Sequence, residues 1–410
     1  MNKMSTKIIH IFNDDKFVDA AISIMEYSHP NESEYYVIKN DENDFNYVKS
    51  GIVKRLKLTL DKDYSDFIQE LKNKKSQVVF LHALDFYKQK MVLLLPEKIV
   101  KVWLIWGYDL YGNWQLFNDK LYEKKTIQAL NLKKPSLKIQ LINNSFSFWL
   151  FDKTNKKAIW LPNKISNILK SNFYNIFYKA AEKIDIVIPV IKDEYVFIKK
   201  LKLQAKLGTF SYGTLEDLLK GNDIDNVLNK SNILLGNSAD PSNNHLDVFD
   251  KLRNFNFKDR KLFVPLSYGG TAEYKEKVID SGKEIFGDSF VPLLDFMSLD
   301  KYNEILSSCG FAIFNHVRQQ GVGNIVSMGH LGAKLFLNSK SPVLKYFSNL
   351  GMKIFDIDTM NEFQLSENIT NQELDINRMV LNNEYSKKAV NDKVLNLLKI
   401  VNELIINKNK

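Results

Sequence analysis

Short apolar runs alternate with segments of helical spacing along the first hundred residues. The segment Phe17–Tyr27 has apolar residues three and four positions apart, which predicts an amphipathic helix. Apolar runs around it predict buried strands at Lys7–Phe12, Tyr35–Lys39, Gln77–Leu81 and Val100–Trp106. Because strands and helices alternate, this half predicts a parallel sheet with crossover helices.

The second half repeats the same plan. Its apolar runs predict strands at Ile233–Leu235, Lys261–Pro265, Phe290–Leu294, Phe311–Phe314, Lys334–Leu337 and Lys353–Asp358, and one more strand is predicted before it, at Asp185–Val190. Segments of helical spacing lie at Leu246–Leu252, Ala272–Ser281, Ser298–Ser308, Asn324–Leu331 and Asn391–Asn407. Pro292 predicts that its strand lies at a sheet edge, because proline has no backbone N–H to donate to a neighbouring strand.

Length and glycine usage divide the chain into two domains. A chain of 410 residues is too long for one ordinary core. Glycine occurs at 51, 107 and 112 and then not again until 208, after which glycines are frequent up to 351. We therefore predict Rossmann-like domains at 1–210 and 211–385, and a final helix at 386–410 that crosses back to the first domain.

Polar residues crowd into the stretch that follows the Ile233–Leu235 run. Because a helix follows, this stretch lies at the carboxyl end of a parallel strand, where open α/β sheets bind ligands. The alternative is an ordinary helix cap, since Asp, Ser and Asn all cap helices. The candidate ligand-binding residues here are Gly236, Asn237, Ser238, Asp240, Asn243 and His245.

A second polar stretch follows the Phe311–Phe314 run and opens the next helix. Glycines allow the backbone to approach a ligand closely, and free N–H groups at a helix start suit a phosphate. An arginine adds a planar bidentate donor. The candidates here are Arg318, Gln319, Gln320, Gly321, Gly323 and Asn324.

Three strand ends in the first half carry groups that could act as a general base. Asp14 and Asp15 follow the first strand, His82 the Gln77–Leu81 strand and Asp109 the Val100–Trp106 strand. If the strands are parallel, all three lie at one edge of the sheet. Asp14 could instead cap the following helix, His82 could be structural, and Asp109 could hold a loop by accepting backbone N–H bonds.

Charge and cysteine content limit the possible partners. The chain has 57 Lys and Arg against 48 Asp and Glu, and its net charge of +9 suits nucleic acid, anionic lipid or phosphorylated substrates. The single cysteine, Cys309, excludes an intrachain disulfide and a cysteine-based metal cluster. No signal peptide or membrane span is visible, which favours a cytoplasmic protein with at most peripheral membrane contact.

Aromatic residues and lysines are interleaved between 145 and 183, in particular at Ser145–Phe151 and Asn172–Tyr178. Aromatic rings at headgroup depth and ammonium groups on lipid phosphates would suit a membrane surface. The alternative is that the rings are core and the lysines are a solvated face.

Three motifs resemble one enzyme family. They are Gly-Asn-Ser-x-Asp-x-Ser-Asn-x-His at 236–245, Val-Pro-Leu-Ser-Tyr-Gly at 264–269, which contributes Tyr268, and Arg-Gln-Gln-Gly-x-Gly at 318–323. They resemble the TDP-4-acetamido-4,6-dideoxygalactose (Fuc4NAc) transferases, family 56 of the glycosyltransferases, which complete the lipid-linked trisaccharide of enterobacterial common antigen. The stretch 106–111 looks like the family's Trp-Gly-x-Asp-Leu-Tyr element, which makes Asp109 the preferred base.

The resemblance implies a GT-B fold, with two Rossmann-like domains and a cleft between them. It implies a dTDP-sugar donor in the second domain, a polyprenyl-linked or other saccharide acceptor in the first, and no metal. The candidate residues named above in the two polar stretches, together with Tyr268, then become donor-binding candidates, and a peripheral site on the inner face of the bacterial inner membrane is implied. The Asp356-Ile-Asp358 motif is set aside as a metal site because it lies at a late strand end without support.

Two other classes stay open on the residues alone. A Rossmann oxidoreductase or epimerase is disfavoured because no glycine follows the first strand, at Ile11–Asp15. A basic nucleic-acid-binding protein is compatible with the charge, but no recognition motif supports it.

Overall fold

The computed structural model describes residues 7–112, 120–131, 173–201, 203–220, 226–257 and 259–410. The chain forms two compact units. The first consists of Met1–Phe117, Lys134–Tyr212 and Val390–Lys410, and the second of Asn118–Lys133 and Gly213–Ala389. The end of the chain thus belongs to the first unit, and Asn118–Lys133, which the sequence had placed in the first domain, belongs to the second.

A seven-stranded parallel sheet forms the centre of the first unit. Its strands are β1 (Ile8–Asn13), β2 (Ser33–Ile38), β3 (Val53–Leu56), β4 (Val78–His82), β5 (Val100–Leu104), β6 (Ile186–Ile188) and β7 (Lys206–Leu207). They are arranged in the order β3-β2-β1-β4-β5-β6-β7. The central strands β1, β4 and β5 are almost wholly buried, as expected for a parallel sheet covered on both faces.

A six-stranded sheet forms the centre of the second unit, and its strand pairs are also parallel. Its strands are β8 (Asn232–Leu235), β9 (Leu262–Pro265), β10 (Phe290–Leu293), β11 (Cys309–Phe314), β12 (Lys334–Leu337) and β13 (Phe355–Asp356). They are arranged in the order β10-β9-β8-β11-β12-β13. The prediction that the strand containing Pro292 lies at an edge is confirmed, since β10 is the outermost strand.

The helices of the described residues connect these strands. In chain order they are α1 (Val18–Ser28), α2 (Asp61–Asn73), α3 (Phe86–Leu94), α4 (Tyr108–Tyr111), α5 (Lys124–Ala129), α6 (Phe173–Glu182), α7 (Tyr195–Lys200), α8 (Leu215–Leu218), α9 (His245–Leu252), α10 (Ala272–Phe286), α11 (Leu299–Leu306), α12 (Val322–Leu331), α13 (Pro342–Asn349), α14 (Asn371–Tyr385) and α15 (Lys387–Lys408). Among the described residues, no helix has both the length and the apolar composition needed to cross a bilayer.

In each sheet the first strand of the chain lies in the interior, and later strands are added on both sides of it. In the first unit the strand order reverses between β1 and β4, and in the second between β8 and β11. At such a reversal, the loops after the two central strands diverge to opposite faces of the sheet and leave a crevice between them. The loops that follow β8 and β11 are the two polar stretches picked out from the sequence.

Some predicted elements differ in extent. The strand predicted at Lys353–Asp358 is reduced to Phe355–Asp356, because the Asp356 side chain accepts the Asp358 N–H and starts a 3-10 turn. The strand predicted to reach Trp106 ends at Leu104. Strands β3 and β7 and helix α14 were not predicted.

Candidate functional site

The loop after β8 is organised by the buried side chain of Asn243. Its Oδ1 accepts the Asn237 N–H at 2.9 Å, and its Nδ2 donates to the Asp240 carbonyl at 2.9 Å and to Ser238 Oγ at 3.2 Å. Gly236 adopts φ +71°, and a Cβ there would lie 2.5 Å from Asn243 Oδ1. Glycine is therefore needed at 236 by the packing of the loop itself.

The loop after β11 joins the first loop through polar side chains. Gln320 Nε2 donates to Asn237 Oδ1 at 3.1 Å, and Gln320 Oε1 lies within hydrogen-bond distance of Ser242 Oγ. Arg318 Nε donates to Ser242 Oγ at 3.1 Å, and its Nη2 lies 3.8 Å from Asp240 Oδ1. The guanidinium is thus held beside the first loop, with its side chain 15% exposed.

The turn after β9 closes against the same loop. The Ala239 N–H donates to the Tyr268 carbonyl at 2.8 Å, and Tyr268 Oη accepts from Asn237 Nδ2 at 3.1 Å. Gly270 adopts φ +67°, and a Cβ there would lie 2.2 Å from the Ala239 carbonyl oxygen. The glycine allows two stretches of backbone to touch, and the Tyr268 side chain remains 41% exposed above them.

Helix α12 begins directly at this cluster. Gly321 is its N-cap residue at φ +66°, and among the described residues no side chain caps its first turn. Unsatisfied N–H groups and the helix dipole make such a terminus a good anion site. Asn324 Nδ2 donates to Tyr302 Oη at 2.8 Å. Gly323 is less constrained by packing than Gly321, because a Cβ at 323 would meet only Leu218, at an ordinary van der Waals distance of 3.5 Å.

Two buried histidines lie beneath these loops. His316 Nε2 lies 2.7 Å from Asn243 Oδ1, and His245 Nδ1 lies 3.4 Å from Tyr274 Oη. Burial lowers the pKa of His245 to about 3 and holds the pKa of His316 well below its usual value. Both imidazoles are therefore neutral at physiological pH and serve as packing and hydrogen-bonding groups.

The second unit thus brings most of the predicted donor-binding residues into one cluster at the β8–β11 reversal. His245 lies below the cluster instead of lining it, and Gln319 is 7% exposed. Ser242, which contacts Arg318 and Gln320, lies in the motif at 236–245 but was not chosen as a candidate, and His316, which contacts Asn243, was not considered. His316 could have been found, because it follows an apolar strand in the same way as Asn237 does.

In the first unit, Asp109 is a buried acceptor. Its carboxylate takes the Leu84 N–H at 2.8 Å, the Trp103 indole N–H at 2.7 Å and the Trp106 N–H at 3.0 Å. Burial raises the pKa of Asp109, while these hydrogen bonds oppose the rise. The geometry matches the loop-holding role that the sequence left open.

His82 is also fully buried. Its Nε2 lies 3.0 Å from His10 Nδ1, and its Nδ1 lies 2.7 Å from Tyr212 Oη. Burial holds the pKa of His82 well below its usual value. Its ring stacks on Phe12 with centroids 3.7 Å apart, so it has no exposed face.

Asp14 and Asp15 differ sharply although they are neighbours. Asp14 accepts the N–H groups of Asn46 and Tyr47 at 2.6 and 3.1 Å and lies 3.4 Å from Lys39 Nζ, so it anchors the loop after β2. Asp15 uses one oxygen to accept the Phe17 N–H at 3.0 Å. Its other oxygen has no partner among the described residues, and burial raises its pKa.

The described residues contain no group of three or more His, Cys, Asp or Glu side chains placed to hold a metal ion. Asp356 and Asp358 do not form a paired site: Asp356 caps a turn, and Asp358 pairs with Lys251 at 3.2 Å.

The aromatic and lysine-rich segment lies largely outside the described residues. Ser145–Phe151 and all residues up to 172 belong to that part. Within helix α6, Phe177 is 2% exposed and packs edge-on against Trp103 at 5.8 Å, so this ring belongs to the core.

Comparison with known proteins agrees with this geometry. Residues 161–388 match the profile of the glycosyl transferase group 56 family, described as 4-alpha-L-fucosyltransferases. A glycosyltransferase from Rickettsia africae is similar over 99% of both chains, with a TM-score of 0.60 and 10% identity. Sucrose-phosphate synthase from Thermosynechococcus elongatus has a TM-score of 0.61 at 7% identity, covering 97% of this chain and 99% of its own. The Anabaena protein HepE in complex with UDP has a TM-score of 0.58 at 9% identity, covering 96% of this chain and 100% of its own.

Two parallel-sheet Rossmann-like domains with these structural neighbours define the GT-B fold, so the predicted fold class is confirmed. The chain belongs to glycosyltransferase family 56. The oxidoreductase, epimerase and nucleic-acid alternatives are therefore set aside.

Proposed function

We propose that this glycosyltransferase transfers a 4-acetamido-4,6-dideoxyhexose (Fuc4NAc) from dTDP to a polyprenyl-diphosphate-linked saccharide at a membrane surface. Membership of family 56 supports the enzyme class, and the motifs at 236–245 and 318–323 support the choice of sugar and carrier. UDP bound to the structurally similar Anabaena protein supports a nucleoside diphosphate as the carrier.

The observation that carries the donor site is the meeting of three features at the β8–β11 reversal. These are a loop closed by Asn243, the guanidinium of Arg318 and the uncapped first turn of α12. A diphosphate leaving group gains negative charge as the sugar departs, and a fixed cation and aligned amides stabilise that charge. Because these groups supply the stabilisation, we expect transfer without a metal.

The sheet order also orients the donor. In a doubly wound sheet the two halves on either side of the reversal hold the two ends of an extended ligand. On the β9–β10 side, Tyr268 is 41% exposed and Phe296 is 74% exposed, which suits a flat nucleobase. The sugar then lies on the side of β11 and β12.

The first unit offers Asp15 as the base for the acceptor. Asp14, His82 and Asp109 are occupied by the contacts that hold their loops and strands, whereas one oxygen of Asp15 is available at the β1–β4 reversal. Exposed aromatic rings lie in the same region, with Phe17 at 42% and Tyr108 at 49% exposure. In the proposed step, Asp15 takes the acceptor hydroxyl proton, the oxygen bonds to the anomeric carbon, and the bond to the diphosphate oxygen breaks.

Isothermal titration calorimetry with dTDP, UDP and GDP tests the donor site. The wild-type protein should prefer dTDP, and Arg318→Ala should weaken dTDP binding by about 10–100-fold, because a charge-assisted contact contributes about 1.5–3 kcal/mol. Arg253→Ala is the matched control, since Arg253 is an exposed arginine of the same unit that pairs with Asp250 at 3.9 Å. Equal dTDP affinity in the wild type and in Arg318→Ala would remove Arg318 from the site.

A further inference from the structure

Three asparagines form a buried network at the carboxyl edge of the second sheet. Asn244 follows β8, Asn315 follows β11 and Asn338 follows β12, and none is more than 3% exposed. Asn244 Nδ2 donates to the Asn315 carbonyl at 2.9 Å, and Asn338 Nδ2 donates to Asn315 Oδ1 at 2.7 Å. Burying amide groups is favourable only when they are paired, so this network fixes the relative positions of the three loops.

The network closes through Glu123, which comes from a distant part of the chain. The Glu123 N–H donates to Asn244 Oδ1 at 2.8 Å. The side-chain Oε1 of Glu123 accepts from Asn338 Nδ2 at 3.3 Å and from Lys340 Nζ at 2.8 Å. The contact with Glu123 raises the pKa of Lys340, as expected for an ion pair.

The segment that carries Glu123 is firmly attached to the second unit. Asp247 of α9 accepts the N–H groups of Lys125 and Thr126 at 2.7 and 3.0 Å and the Thr126 hydroxyl at 2.7 Å. Lys277 of α10 donates to the Ala129 carbonyl at 2.7 Å. The Glu123 backbone therefore has a defined position at the sheet edge.

The second carboxylate oxygen of Glu123, Oε2, takes no part in these contacts. Among the described residues Oε2 has no partner, and the side chain is 24% exposed. Glu123 is the N-cap residue of α5, yet its side chain makes no capping bond and turns instead toward β11 and β12. A carboxylate fixed on one oxygen and open on the other is well suited to accept a hydrogen bond from a ligand.

We propose that Glu123 contacts the sugar of the nucleotide-sugar donor and accepts a hydrogen bond from one of its hydroxyl or amide N–H groups. This inference rests on the proposed donor site, which places the diphosphate at the β8–β11 reversal and the sugar on the β11–β12 side. The contacts of Asn338 and Lys340 with Oε1 then orient Oε2 for recognition. The segment 120–131 is in this view part of the donor site and not only a connection between strands.

Calorimetry with dTDP and dTDP-glucose, and in parallel with UDP and UDP-glucose, separates a sugar contact from a nucleotide contact. Glu123→Gln keeps the size and the hydrogen-bonding shape of the side chain but removes its charge. We expect at least ~10-fold weaker binding of the nucleotide sugar and unchanged binding of the nucleoside diphosphate, as for loss of a charge-assisted hydrogen bond. Glu123→Asp, which keeps the charge but withdraws the oxygen, should show the same selective loss and replaces Glu123→Gln if that variant does not fold.

Glu284→Gln is the control, because it removes the same charge from an exposed glutamate on α10 of the second unit, and it should bind both ligands as the wild type does. Equal affinities of the wild type and the Glu123 variants for both ligands would overturn the proposal. A parallel loss for both ligands would also overturn it, since Glu123 would then act on the nucleotide or on the fold. If the wild type binds no nucleoside diphosphate, it is the donor site itself that fails.

Discussion

At the residue scale, the first unit separates carboxylates that hold the fold from one that is available for chemistry. Asp109 and Asp14 sit at strand ends, as the sequence predicted, but backbone N–H groups occupy their oxygens. Asp15 keeps one oxygen open and has a pKa raised by burial. A carboxylate with a raised pKa holds a transferred proton better than an exposed one and is a more effective base near neutral pH.

Asp15→Asn tests this assignment. We expect turnover to fall by at least ~100-fold, because the side chain can no longer take a proton, while dTDP affinity and melting temperature stay close to wild type. Initial rates of sugar transfer and calorimetry with dTDP provide the measurement. In the wild type the rate should rise with pH through the raised pKa of Asp15, because the deprotonated form is the active one.

Asp109→Asn is the contrasting variant. An amide at this position turns N–H groups toward backbone N–H donors, so the free energy of unfolding should drop by about 1–3 kcal/mol. Loss of turnover in Asp109→Asn without loss of stability, combined with full activity of Asp15→Asn, would reverse the two assignments.

The sequence predicted which residue types lie at the strand ends, but not the contacts that they make there. Arg318 and Gln320 could be chosen as candidates because they follow an apolar run and precede a helix. Glu123 was not found, because its partners Asn338 and Lys340 lie more than 200 positions away in the chain. Whether backbone N–H groups donate hydrogen bonds to both oxygens of a carboxylate depends on loop geometry that no local sequence pattern encodes.

At the element scale, the apolar runs predicted the buried central strands, whereas elements with a weak hydrophobic pattern were not predicted. Strand β3 has the sequence Val-Lys-Arg-Leu at the sheet edge, where half-exposed positions accept charged residues. Helix α14 is largely polar and buries only a narrow stripe that includes Leu374, Val380 and Leu381. Both are stabilised by neighbours that are distant in sequence, so their own patterns carry little signal.

The turn after β9 gives a prediction about how elements assemble the donor site. Gly270→Ala forces a left-handed residue to carry a Cβ, and that Cβ would overlap the Ala239 carbonyl oxygen. The β9 turn and the β8 loop must then separate, which displaces Tyr268 and Asn237. We expect dTDP binding to weaken by at least ~10-fold, in addition to a stability cost of about 1–3 kcal/mol for backbone strain.

Gly287→Ala is the control for backbone strain alone. Gly287 lies in the same unit at φ +51°, and a Cβ there would meet nothing within 4 Å. The free energy of unfolding of Gly287→Ala should fall by about 1 kcal/mol, with no change in dTDP affinity. If both variants weaken dTDP binding equally, close packing of the β9 turn on the β8 loop is not what shapes the site.

At the scale of the whole molecule, the alternation of strands and helices was sufficient to predict two Rossmann-like domains. What it did not show is that the chain contributes 118–133 to the second unit before the first is complete. That segment is attached by contacts of Asp247 and Asn244 with backbone N–H groups. Such contacts depend on the position of the backbone and leave no hydrophobic period in the sequence.

The C-terminal helix α15 gives a prediction about how the ends of the chain are joined. From Val390 onward the chain belongs to the first unit, where Leu397 is fully buried in the core that includes Ile186 and Ile188. Gly208 of the first unit leaves room for it, since a Cβ there would lie 3.0 Å from Leu397 Cδ1.

Leu397→Ala should therefore destabilise the first unit by about 2–5 kcal/mol, because it removes buried methyl groups and leaves a cavity. Leu395→Ala is the matched control on the same helix: Leu395 is 39% exposed, and its loss should change stability by no more than about 0.5 kcal/mol. Hydrogen exchange read strand by strand checks the prediction. Faster exchange in Leu397→Ala should be confined to β1, β4, β5 and β6, with dTDP affinity retained by the second unit. Faster exchange in β8 and β11, with loss of dTDP binding, would show instead that the helix stabilises both units together.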